Sequence, residues 1–97
     1  MLVNNHEFPT TSYIYTIKIL LLDKAYSEAL FLSEKALKTA KQKSGFFPNK
    51  RSEALLFLGI GKIYDAMNEK EKADHYKTLA GNLYSPQALE ERWSVRE

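Results

Sequence analysis

The chain has no cysteine. That excludes a disulfide framework, a thiol nucleophile and a thiolate metal site, and it agrees with a reducing compartment. Backbone breakers are scarce too: three prolines and four glycines in 97 residues leave long stretches free to run as helices. Charge of one sign is also missing. Fourteen Lys and Arg against twelve Asp and Glu leave a formal +2, without the concentrated basic face of a dedicated nucleic-acid binder. No apolar run approaches the ~20 residues of a membrane-spanning helix; the most apolar, Ile17 to Leu22, is interrupted by Lys18 and stopped by Asp23. The segment Met1-Leu2-Val3-Asn4-Asn5-His6-Glu7 lacks the basic-then-apolar order of a secretory leader. A soluble, cytoplasmic protein is expected.

What is present argues for folding. Hydrophobic residues make up 44% and aromatic residues 12%, with six Tyr and five Phe, well above a disordered composition. The length suits one domain with one modest core, and residues 1–97 are expected to form it.

The breakers divide the chain into helical runs. Pro9 precedes Thr10, Thr11 and Ser12, any of which can cap a first helix reaching Leu22. After a pause at Asp23-Lys24 a second run extends to about Lys43. Ser44-Gly45-Phe46-Phe47-Pro48-Asn49 reads as a loop, with Gly where a helix ends and Pro soon after. A third run goes from about Lys50 to Met67, Asn68 marks a tight turn, and a fourth reaches about Tyr84. Ser85 can cap a short fifth helix with Pro86 at its first position. Apolar residues recur at helical spacing: Ala29, Leu32, Ala36, Leu37 and Ala40 in the second run, Phe57, Ile60, Ile63, Tyr64 and Met67 in the third. No segment alternates as a half-buried strand does. The expected fold is all-α: two antiparallel helical hairpins, over 10–43 and 50–84, and a short C-terminal capping helix over 86–94.

The two hairpins are related. A shift of 44 places Tyr13 on Phe57, Ile14 on Leu58, Lys18 on Lys62, Ile19 on Ile63 and Leu20 on Tyr64; it also places Ala29 on Ala73 and Ala36 on Ala80. Each Ala pair lies on one helix face, where a side chain no larger than methyl admits close helix packing. This arrangement resembles the tetratricopeptide repeat, a helix-turn-helix unit of about 34 residues. Phe57, the Ile60-Gly61 pair, Tyr64, Ala73, Tyr76 and Ala80 match the motif, and Pro86 lies one residue beyond the usual Pro. Tyr13, Leu20, Tyr26, Ala29 and Ala36 match it in the first hairpin, where Ile17 stands at a position that is normally small. The longer period resembles the longer-helix variants of the family.

The resemblance implies a protein-interaction module that binds a partner protein or peptide in a concave groove lined by the first helix of each hairpin. The implied contact positions are Ile14, Lys18, Leu21, Leu58, Lys62 and Asp65, flanked by Thr11 and Leu55. Lys18 and Lys62 repeat in register, and two ammonium groups in one groove suit an acidic side chain. The Asn residues of the family's carboxylate-clamp version are absent from the matching positions, so that ligand class is not implied. The first helix carries Tyr13, Ile14, Tyr15, Ile17, Ile19, Leu20, Leu21 and Leu22 almost all round, and a helix apolar on every side needs cover on every side. Contact with another chain is therefore expected, as self-association or as part of a longer repeat array.

No catalytic residue, cofactor site or metal site is expected, and the chain reads as a non-enzyme. His6 and His75 have no ligand-spaced partner, and Gly59 and Gly61 lie inside a helix rather than in a phosphate-cradling loop. The basic run Lys35, Lys38, Lys41, Lys43, Lys50, Arg51 is explained by helix C-terminal electrostatics and a solvated face. Two alternatives stand beside the main reading: a regulatory domain sensing a peptide or small ligand in the groove, and a nucleic-acid accessory protein using that basic run.

Overall fold

The computed structural model describes residues 10–42, 47 and 49–94. They form five α-helices: α1 (Thr10–Leu22), α2 (Tyr26–Gln42), α3 (Lys50–Ala66), α4 (Lys70–Leu83) and α5 (Pro86–Ser94). The described residues include no strand. The boundaries fall within two residues of those expected; most of the loop before α3, with Lys43, lies outside the described residues.

The caps follow local chemistry. Asn49 takes an extended backbone at the start of α3, and its side-chain oxygen accepts from the Ser52 amide at 2.9 Å, satisfying one of the amides a helix start leaves open. Ser85 does the same for α5: Ala88 N donates to its Oγ at 3.4 Å and Leu89 N to its carbonyl at 3.0 Å. Pro86 follows at the first helical position, where its missing N–H costs nothing.

The two short turns share one geometry, displaced by the repeat offset. Lys24 has φ 62° and Asn68 has φ 68°. Ala25 N donates to Leu20 O at 2.9 Å and Lys24 N to Leu21 O at 3.0 Å; Glu69 N donates to Tyr64 O at 2.8 Å and Asn68 N to Asp65 O at 3.0 Å. Each is the paired 6→1 and 5→2 bonding that closes a helix through a left-handed residue. Both turns reverse the chain within three residues, and α1 packs with α2, α3 with α4.

α3 is the centre, packing also against α1, α2 and α5. Ala54, Leu55, Leu56, Leu58, Gly59, Ile60, Gly61 and Ile63 are all buried in it, and Phe57 and Lys62 between them are half-buried. Towards α1 and α2, Leu56, Ile60 and Ile63 join Tyr13, Ile17, Ala29 and Ala36. Ser33 is buried among them, its hydroxyl donating to Ala29 O at 2.8 Å, so the buried hydroxyl has its partner within its own helix. Towards α4, Gly61 permits close approach: a Cβ there would come within 2.8 Å of Lys77 Cγ and 3.2 Å of Ala73 O. Along the same seam Tyr76 stacks between Phe57 and Tyr64, with ring centroids 6.1 and 5.8 Å away. Ile17, at the repeat position equivalent to Gly61, is fully buried beside Ala29 and Ala36, so the first hairpin accepts a branched side chain where the second accepts none.

A left-handed conformation strains an L side chain with a Cβ, less so Asn. Lys24→Gly is expected to raise stability by about 0.5–1 kcal/mol, and Asn68→Gly by less. Urea unfolding midpoints at unchanged slope measure this. A lower midpoint for Lys24→Gly would mean that packing of the lysine stem outweighs the strain.

Candidate functional site

α5 is nine residues long and brings Leu89, Glu90 and Trp93 to the seam between α1 and α3. Leu89 is 1% exposed, in a cluster with Ile14, Ala54, Leu55, Leu58 and Ala80. One turn later the Trp93 ring lies across Gly59: a Cβ there would sit 3.0 Å from Trp93 Cη2 and 3.6 Å from Ile17 Cγ2. Gly59 is therefore the place where the indole approaches the α3 backbone.

The two lysines of the repeat flank that ring. Lys18 Nζ lies 5.6 Å and Lys62 Nζ 5.9 Å from its centroid, both within cation–π range. Lys62 also pairs with Glu90 at 3.1 Å, the lysine side chain 27% and the carboxylate 54% exposed. One acid and one aromatic face from α5 thus meet the two repeated ammonium groups.

Of the six positions expected to face a groove, the structure brings four together: Ile14, Lys18, Leu58 and Lys62 converge on α5. Leu21 instead packs against the cluster of Tyr13 and Ile17. Asp65 turns to α4, where Lys77 donates to its carboxylate. Residues 89, 90 and 93 complete the site. The four-residue spacing of Leu89 and Trp93 identifies an apolar face on α5 but not its destination.

The remaining candidates lie elsewhere. His75 is exposed, edge-on to Tyr76 with centroids 5.2 Å apart; His6 lies outside the described residues. Among the described residues no three His, Asp or Glu gather in a metal-binding group, and no helix is long and apolar enough to cross a membrane. Lys35, Lys38, Lys41 and Lys50 are exposed and Arg51 is half-buried. Three α1 side chains at helical spacing stay open to water on the side away from Ile17: Tyr15 at 52%, Ile19 at 41% and Leu22 at 82% exposed. Phe31 is 70% exposed, on the side of α2 opposite Ala29, Ser33 and Ala36.

Electrostatics are mild. The Lys77 hydrogen bond and charge hold the Asp65 carboxyl below its usual range. Burial raises the Tyr64 and Tyr76 hydroxyls, with Glu34 adding to both. A carboxylate with a depressed folded pKa adds stability above its unfolded pKa and loses it as pH falls through the folded value. Asp65→Asn should therefore cost stability at neutral pH and none in strong acid. The loss should stay below about 1 kcal/mol because the pair is exposed; urea titrations at the two pH values measure it.

Gly59→Ala adds helix propensity of about 1 kcal/mol while placing a methyl against the indole. Since Trp93 is the only tryptophan, its fluorescence reads the result: a red-shifted, more quenchable emission with helicity retained. Unchanged emission would show that the ring does not rest on Gly59. Neither protein-family models, nor curated proteins, nor solved structures give a match to this chain.

Proposed function

We propose that this chain is a protein-interaction module of tetratricopeptide type, and that it self-associates through the outer face of α1. The observation that carries the reading is the stripe Tyr15, Ile19, Leu22, left open along one side of a helix whose other side is core. An exposed apolar patch of this kind marks an interaction surface. Covering each Leu or Ile side chain is worth about 1.5–3 kcal/mol, enough for a few of them to drive association.

The family part of the reading is supported by the order of packing. Two helix pairs follow one another, the first helix of the second pair nests against both helices of the first, and a fifth helix comes next on α3. The matching turns at Lys24 and Asn68 add support that does not depend on side-chain identity. The partner surface on this reading is made of packing side chains, with no catalytic role for any of them.

Light scattering across a dilution series tests it. The wild-type chain is expected to run as a dimer, and Ile19→Glu with Leu22→Glu as a monomer of unchanged helicity, its dissociation constant raised at least tenfold. A wild-type chain that stays monomeric and soluble across the series would overturn self-association.

A further inference from the structure

We propose that α5 is a displaceable internal ligand: the α1–α3 cleft that it fills is a binding site for an amphipathic helix of a partner protein. That helix carries a large apolar residue, an acid at the next position and an aromatic residue four positions after the first, the pattern of Leu89, Glu90 and Trp93. The proposal goes beyond self-association and does not depend on it, because the floor of the cleft is built from Ile14 and Ile17, which are buried, and not from the exposed stripe of Tyr15, Ile19 and Leu22.

The cleft has the parts of a helix-binding site. Its floor is apolar, formed by Ile14, Ile17 and Leu58 with the bare backbone of Gly59. Its rims are Lys18 and Lys62, supplied in register by the two hairpins; both lie against the aromatic ring of the bound helix, and Lys62 pairs with its acid. Charge complementarity therefore selects an acidic helix, and the apolar floor sets its spacing.

Three features make α5 a weak occupant of this site. It has nine residues, too few to hold helical structure once undocked. Its ion pair with Lys62 is solvent-exposed, and such pairs contribute little. Its packing is also incomplete on the α4 side: a cavity of about 170 Å³ remains beside Leu89, lined by Leu58, Lys77, Ala80, Gly81, Pro86 and Glu90. A partner helix with Phe or Met in place of leucine would reach into that space. Beside the burial of Leu89, what keeps α5 in place is its tether, since Tyr84 and Ser85 connect it directly to α4; a short tether gives an effective concentration on the order of 1 mM.

The test uses the full chain and its single tryptophan. The probe is a synthetic peptide of residues 84–94 with Trp93→Phe, so that all emission comes from the chain's own Trp93. Saturating peptide is expected to shift that emission to the red and raise acrylamide quenching severalfold, with half-saturation on the order of 1 mM. A peptide that also carries Leu89→Met should bind tighter, and one carrying Glu90→Lys several-fold weaker. In the chain variant Glu90→Lys the half-saturating concentration of the first peptide should fall several-fold, because the internal helix then sets a third ammonium group against Lys62 and Lys18. If that variant does not fold, the wild-type titration decides alone. Emission unmoved by any of the peptides, in a chain that circular dichroism shows to be folded, would mean that α5 is a fixed part of the core and would overturn the proposal.

Discussion

A 17-residue helix with apolar or small residues round its middle turns has to be covered on every side, and α3 is such a helix. Its cover comes from four directions. α2 and α1 bring Ala29, Ala36, Tyr13 and Ile17; α4 approaches across Gly61; α5 closes the last side with Leu89 and Trp93. Of the remaining helices α2, α4 and α5 are amphipathic and bury one side each. The short turns after α1 and α3 pair each with the helix that follows it, and α3 then packs on α1, α2 and α5 as well.

That constraint also explains why the contact between α5 and the first hairpin is uneven in strength. Leu89 is buried and contributes as a core residue does. Trp93, Lys18, Lys62 and Glu90 lie at the rim, where cation–π and ionic terms are each worth about 1 kcal/mol or less. The ordering of nine residues opposes them at roughly 1–2 kcal/mol each before helix hydrogen bonds are counted. The fifth helix is also the shortest of the five. The residue pattern that would hold a foreign helix there is the one it carries itself.

The first helix meets the opposite situation. It is apolar almost all round, but its packing among the described helices is against α2, α3 and α5, and Tyr15, Ile19 and Leu22 remain exposed. α3 resolves the same composition by lying between neighbours; α1, at the edge of the described helices, does not. Position in the stack, more than composition, separates the two.

Local chemistry written in the sequence determined the helices, their caps and their turns. Pro and Gly are few and well placed, Ser85 and Pro86 start a helix by their own geometry, and apolar spacing of three and four leaves no room for strands. The 44-residue repeat was legible for the same reason, and it predicted that Lys18 and Lys62 share one face. Where that face leads was not legible. Helical period tells which residues lie on one side of a rod but not which rod covers that side, so only the tertiary structure decided that Trp93 and Glu90 meet the two lysines. It likewise sent Asp65 to Lys77 and Leu21 to the Tyr13 cluster, because these contacts join residues on different helices, brought close where Gly59 and Gly61 leave room for Trp93 and Lys77.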